Sequence, residues 1–519
     1  MCHPPFRWAP SALLLSALLS ACATHETAKP VATAPVVRPS PVAAYQLTNR
    51  LTWGATVATL DQAEHMGLSP YLAQQLHPGP ATLPPAVQQQ IAAMTISQTP
   101  LVALVQDMDK RKKEADATYA NDDDKKAAQQ AYQQELNRLG REAATRHLLR
   151  ALYSSNQIQE QMTWFWLNHF NVHLYKANLR ELVGDYEDTA LRPHALGKFR
   201  DLLGAVAHHP AMLRYLDNEQ NAANRINENY ARELMELHTL GVGAGYTQQD
   251  VQEMARVLTG VGVNLGTDNP KVRKELQGDY VHKGLFEFNP NRHDYGAKTL
   301  LGQPIRSRGL AELDEALDRL AKHPATAHFI SRKLAQYWLS DDPPPALVER
   351  MAQSFLKSDG DIAVTLQTLL GSPEYAQGAG QKFKDPVHYV VSAVRLAYDD
   401  KPILNVGPML NWLNRMGEPL YGRQTPDGYA LDTAAWSSPG QMATRFEIAK
   451  AIGSGNAGLF KTDGPQPLEK PAFPQLANAL YYRALGQTLG PNTQQALAQA
   501  TSAQEWNSFL LSSPELMHR

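Results

Sequence analysis

Cysteine is nearly missing from this chain, with 2 in 519 residues, which excludes a disulfide scaffold and every multi-cysteine zinc or iron–sulfur site. An excess of charge of either sign is missing too. With 49 Lys+Arg against 51 Asp+Glu there is no basic field to hold a phosphate backbone, and nucleic acid is not an expected partner. Beyond the first 22 residues no apolar run is long enough to span a bilayer. Walker A, GxSxG, CxxCH and HExxH motifs are all absent. Gly453 to Gly458 spell GxGxxG, but the run follows a helical segment, RFEIAKAI, where nucleotide binding needs a strand, so it reads as a helix terminator. What remains is a near-neutral chain long enough for two or three domains or for one large helical domain.

The amino terminus carries an address. Arg7 supplies a positive start, Ser11 to Ala21 (SALLLSALLSA) forms a short apolar and small-residue run, and Leu19-Ser20-Ala21-Cys22 resembles a lipobox. Residues 1–21 are therefore expected to be a lipoprotein signal peptide, and Cys22 the lipidated residue that anchors the chain to a membrane. Ala23 after it favours the outer membrane of a bacterial envelope. Residues 22–44 are rich in Pro and Ala, with no helical periodicity, and read as a tether that extends by about 3.1 Å per residue. The body, 45–519, is expected to be predominantly α-helical and globular, with a possible subdivision near 400–440.

Helical patterns dominate that body. Residues 103–152 are rich in Ala, Gln, Lys, Glu and Arg, and the Asn121 to Asp124 cluster divides them into two helices, capping the second. Further patterns fall at 156–176, 196–216, 229–240, 248–259, 310–322, 324–340, 345–357, 360–371, 385–399 and 441–452. Long Pro/Gly-rich loops separate them, notably 401–440. Residues 286–302 alternate briefly and turn at Asn-Pro-Asn-Arg, which predicts a short β-hairpin.

Two segments carry polar constellations. In 156–176, Met162, Trp166, His169 and His173 fall on one helical stripe, which sets two histidines one turn apart. Such a pair can chelate a divalent metal, although Phe170 stands where a zincin has its catalytic Glu; the alternative is a pair of buried, hydrogen-bonded histidines. Six of the 17 histidines lie between 169 and 238, which keeps the metal reading open.

In 217–241, Asn227 or Asn229 caps a short helix that Gly241 ends. Its stripe of Ala231, Leu234, Met235 and His238 faces inward, while Arg232 and Glu236 can pair outside. Glu233 sits at the apolar edge, where it can be a metal ligand, a general base with a raised pKa, or the anchor of an internal Arg. Five Asn between 218 and 229 invite a calcium site, but the EF-hand spacing fails and a loop of turns and caps is the simpler reading. Thr247 and Asp250 form a capping box for the next helix, which Gly260 ends. His293, Asp294 and Lys298 gather at the turn of the expected hairpin.

Taken together, NRLTWG at 49–54, WFWLNHF, RPHALGKFRDLLGAVAHHPAMLRYLDN, NENYARELMELHTLGVGAGYTQQDVQEMARVLTG, HDYGAKTLLG and HPATAHFISRKLAQYWLSDDPPPALVERMAQSF resemble the bacterial DUF1800 family, from about residue 48 to the carboxyl terminus. The resemblance implies a helical exported or envelope protein, often encoded beside another exported family of sulfatase-like appearance, which makes that neighbour a possible partner. It implies no particular reaction. Its motif residues are Asn168, His169, Asn218, Asn227, Glu228, Asn229, Arg232, Glu233, Glu236, His293, Asp294 and Lys298. His173 and His238 stand outside the pattern, which weighs against a zinc site on His169 and His173, and Val261 stands where the family has Trp.

The resulting expectation is an envelope lipoprotein with a hydrolase-like His/Glu cleft. His169, Glu233, Glu236, His293 and Asp294 are its catalytic candidates. Asn168, Asn218, Asn227, Arg232 and Lys298 would bind, and a divalent metal on His169, His173 and Glu233 is optional. One competing reading is a non-catalytic binding or assembly protein for a surface polymer or a co-exported partner, with an aromatic contact surface around Trp412, Tyr421, Tyr429 and Trp436. The other is a structural component in which the polar residues are satisfied core networks. An open cleft between the 156–176 and 229–240 helices favours the first; sealed helices beside a flat aromatic surface favour the second.

Overall fold

The structure is a computed structural model that describes residues 39–117, 121–266, 268–399, 401–461 and 473–519. The expected signal peptide, Cys22 and most of the tether lie outside the described residues. Helix begins at Pro41, inside the stretch read as tether. The Ser40 side chain accepts the Ala43 N–H, and Pro41 takes the first helical turn, where its missing N–H costs nothing.

The described residues are 61% helical and 4% strand, a predominantly α-helical body as its periodicity predicts. Arg38–Arg519 cohere as one unit, without a division near 400–440. Its architecture is organised around two helices buried on every side. In Gln157–His169 every residue except Gln159 is buried, and in Pro386–Ala397 all are. A helix apolar nearly all round has no solvent face and must be the centre of its neighbours. Around the first, Trp166 meets Phe199 at 5.8 Å, Phe165 meets Tyr337 at 5.3 Å and Trp164 meets Tyr429 at 6.4 Å between ring centroids. These contacts tie in the Phe199–His208 and Pro324–Trp338 helices and the loop after Arg415.

Most polar groups on the central helix are matched, Gln161 Nε2 being left without a partner among the described residues. The Gln157 side chain accepts the Trp53 N–H at 3.0 Å, Glu160 pairs with Arg192, and Gln161 accepts from Arg519 at 2.8 Å. Among the described residues no helix is long and apolar enough to cross a membrane.

Most predicted helices form close to their expected bounds. The Asn121 side chain caps Asp122–Tyr153, with three Asp in the first turn, as its sequence predicts. Four places differ. The 156–176 pattern stops being helical at His169; 196–216 divides at His209-Pro210; the 229–240 helix ends at Glu236, before Gly241; and the 401–440 loop contains a helix, Gly407–Arg415.

Strands form in this region, but the hairpin expected to turn at Asn-Pro-Asn-Arg does not: Phe286–Phe288 lies between Val261–Val263 and Val281–Lys283, antiparallel to both, with Phe288 opposite Val261 and Val281. Thr299–Leu300 and Gln303–Pro304 form a second, two-stranded ribbon.

Candidate functional site

The carboxyl end of the central helix sets the geometry of the site. The Asn168 amide brackets the backbone of Tyr429 like a neighbouring strand: its Nδ2 donates to Tyr429 O at 2.9 Å, and its Oδ1 accepts Tyr429 N–H at 2.6 Å. Asn171 donates to Arg423 O and Thr425 O at 3.0 and 2.9 Å. Two tyrosines finish the stitching, since Tyr421 Oη donates to Glu187 and Tyr215 Oη donates to Gln424 O at 2.7 Å.

Gly428, at φ +76°, is held so close that a Cβ would stand 2.1 Å from Asn168 O, so only glycine fits. These tertiary bonds also explain why the helix ends at His169. Asn168 and Asn171 serve the 417–436 loop, and the chain leaves the helical path there.

His169 is 1% exposed and has both ring nitrogens engaged. Nδ1 lies 3.0 Å from Lys333 Nζ, so it accepts; Nε2 therefore carries the proton and donates to His238 O at 3.1 Å. Burial, then the Lys333 charge and His238, press the His169 pKa well below the usual histidine range, and the ring is neutral. Burial also brings Lys333 down to about 8, against a weak opposing effect of Asp427. Among the described residues no carboxylate lies within 4.0 Å of its amine.

Lys333 opens into a pocket of about 390 Å³ between the Pro324–Trp338 helix and the 417–436 loop, lined also by Gln336, Asp341, Arg423, Asp427 and Trp436. Two pairs of the other charges there are matched: Arg423 grips Asp427 at 2.8 and 3.1 Å, and Lys382 holds Asp341 at 2.7 Å.

Glu233 is half-buried on the Asn229–Glu236 helix and has no hydrogen bond or ion pair among the described residues. Burial, Glu236 and Asp427 raise its pKa, and Arg232 opposes them. It does not touch His169. Glu236 instead pairs with Arg232 at 3.3 Å, and Arg232 also meets Glu228 at 3.2 Å and Gln248 at 2.8 Å.

His173 corrects the metal expectation. Lying beyond the helix end, it is not one turn from His169, and its ring packs against Tyr175 at 5.6 Å. Among the described residues no three His, Cys, Asp or Glu side chains converge to hold a metal ion, so His169, His173 and Glu233 do not form a ligand set. His238 is fully buried as expected, although it lies beyond the helix end at Glu236, and its pKa falls to about 3 through burial and Lys333.

His293, Asp294 and Lys298 build a separate cluster. His293 Nδ1 lies 2.7 Å from Thr259 O and its Nε2 lies 3.3 Å from Glu312; Lys298 Nζ lies 2.6 Å from Glu312 Oε2. Asp294 accepts from Arg256 at 2.7 Å, and that hydrogen bond, outweighing partial burial, takes its pKa down to about 2. His293 and Asp294 thus fasten the small sheet to the Gln248–Val257 and Ala311–Ala321 helices and are not directed into the Lys333 pocket.

The asparagines are engaged in the same manner. Asn218 donates to Val261 O at 2.8 Å and Leu258 O at 3.2 Å, Asn221 donates to Asn218, and Asn227 accepts the Asn229 N–H at 3.0 Å, so their oxygens and amides brace turns. The aromatic surface expected at 409–436 is not there either. Trp412, Tyr421, Tyr429 and Trp436 are each 9% exposed or less, and His169 packs against His238, whose ring lies just beyond the Asn229–Glu236 helix, with 6.1 Å between ring centroids. The opening lies instead on the other side of His169, at Lys333.

Lys333 and Asp427 are the residues that sequence reading missed. Lys333 carries a readable signal: Thr326, Ile330, Lys333 and Tyr337 fall on one helical stripe, whose other members are buried.

These features define a predominantly helical protein with one buried histidine held between a backbone carbonyl and a pocket lysine. The chain belongs to the family described as "Protein of unknown function (DUF1800)", whose model matches residues 46–518. No curated protein and no solved structure matches it.

Proposed function

We propose that this chain is an envelope enzyme of hydrolase or group-transfer type, tethered through a lipid on Cys22 in the outer membrane, whose chemistry occurs at the Lys333 amine. The carrying observation is the ordered series from Lys333 Nζ to His169 Nδ1, and from His169 Nε2 to His238 O. A pocket-facing amine, a partner that orients it, and a third group that orients the partner are the arrangement that general-base and nucleophilic lysines require. With its pKa near 8, the amine exists in both protonation states close to neutral pH and can take up or deliver a proton there. His169 is then a positioning residue and keeps its place in the site; Glu233 stands ready as a separate carboxyl with a raised pKa. A neighbouring exported protein of sulfatase-like appearance is the proposed partner.

Trace acetylation with acetic anhydride, read residue by residue by mass spectrometry from neutral to alkaline pH, tests the amine. Lys333 should titrate with a midpoint near 8, whereas surface lysines titrate near about 10.4. A panel of chromogenic esters and glycosides tests turnover, which should vanish in Lys333→Met while the circular dichroism spectrum is kept. An ordinary lysine midpoint together with turnover indifferent to Lys333→Met contradicts the reading.

A further inference from the structure

Two ion pairs account for most charges of the Lys333 pocket: Arg423 and Asp427 satisfy each other and Lys382 holds Asp341, while the Asp432 carboxylate pairs with no cation among the described residues and accepts the Ala435 N–H at 3.1 Å. Lys333 alone among these cations is left over, with three donors and one acceptor, His169 Nδ1. Ala430, Leu431 and Asp432 line the same pocket, and their N–H groups bond to no acceptor among the described residues. A cation without a counter-ion sharing a pocket with donors without acceptors suits an oxyanion.

The rest of the wall suits a ring that carries hydroxyls. Trp436, fixed by its Nε1 donating to Ala430 O at 2.9 Å, and Tyr429, fixed by its Oη donating to Pro419 O at 2.7 Å, are otherwise buried and show only a narrow edge to the pocket they line. Asp341 and Asp427 offer acceptors opposite. At about 390 Å³ the space matches one small molecule.

Building on the enzyme reading above, we propose that the pocket takes an acidic sugar unit, with its carboxylate at Lys333 and the Ala430 to Asp432 N–H groups and its ring against Trp436. The lysine then both recognises the ligand and lies beside its reacting bonds.

Isothermal titration of the full chain with D-glucuronate, D-glucose and acetate tests this, using the unaltered chain, Lys333→Met and Lys333→Arg, each verified as folded by circular dichroism. Glucuronate should bind about tenfold or more tighter than either glucose or acetate. Lys333→Met should erase its margin over glucose, and Lys333→Arg should retain part of it. Glucose binding as tightly as glucuronate, acetate binding as tightly as glucuronate, or a preference that survives Lys333→Met each overturns the assignment.

If none of the three binds while Lys333 still titrates near 8, the ligand class falls and the enzyme reading stands; if Lys333 also reacts as an ordinary lysine, both fall. Should Lys333→Met fail to fold, protection decides: glucuronate must slow acetylation of Lys333 in the unaltered chain where glucose does not, and its failure to do so overturns the proposal.

Discussion

Lys298 shares Glu312 with a histidine, His293, and Lys333 meets His169, yet the surroundings of the two lysines are opposite. Lys298 meets Glu312 at 2.6 Å and donates to the Asp294 and Gly296 carbonyls, so all its donors are engaged. Lys333 meets a neutral imidazole, has no carboxylate within 4.0 Å among the described residues, and faces a pocket. The first arrangement holds a small sheet to two helices. The second leaves a charge for something else to complete, which is the difference between a brace and a site.

The largest way to break this contrast is to remove the partner in the brace. Glu312→Ala strands Lys298 and His293 in a buried setting and should cost about 3–5 kcal/mol in urea unfolding, the price of an uncompensated charge. A loss under about 1 kcal/mol would mean that the cluster does not hold the fold. Next is Gly428→Ala, where a Cβ must find room 2.1 Å from a backbone oxygen at φ +76°. It should cost roughly 2–3 kcal/mol and expose Lys333 to acetylation at an ordinary midpoint, since the loop that shelters the amine no longer seats; an unchanged midpoint would show that the loop does not shape the pocket.

The smallest effect is the acid response of the brace. Because the folded Asp294 pKa lies at about 2, below its unfolded value, the Asp294–Arg256 pair stabilises fully above the unfolded pKa. That contribution is lost as pH falls through about 2. The decline should disappear in Asp294→Asn, and its persistence there would assign it to another carboxylate.

Much of this body was legible because helical periodicity is local. The capping box of Thr247 and Asp250, the Arg232–Glu236 pair, the half-buried Glu233 and the inward stripe of Ala231, Leu234 and Met235 all stand where spacing put them. The end of the central helix was not legible. Apolar periodicity runs on toward His173, and the stop at His169 comes from bonds that Asn168 and Asn171 make to residues more than 250 positions away. Tertiary contact overrides local preference there.

The same distance hid the meaning of the polar motifs. His293, Asp294 and Lys298 look like a cleft until Glu312 and Arg256 arrive to neutralise them, whereas Lys333 looks like one surface lysine among many until its stripe is drawn. The aromatic residues of the 409–436 segment were read as a surface because a Pro/Gly-rich stretch suggests exposure, and they are buried because Asn168, Asn171 and Glu187 bind that segment down.

The most direct measurement is the unfolding free energy of Lys298→Met and Lys333→Met, side by side, against pH. Lys298→Met should lose about 3 kcal/mol at neutral pH, because Glu312 is left without its cation. Lys333→Met should gain about 1 kcal/mol, because an unmatched charge is replaced by an apolar chain of similar length. The sign follows from linkage: with a folded pKa near 8, below the unfolded value, the Lys333 ammonium destabilises the fold fully below pH 8, and the penalty fades as pH rises from there toward the unfolded pKa. The gain should fade over that same interval. Loss of stability in both variants at neutral pH would contradict the account, since Lys333 would then be a second brace.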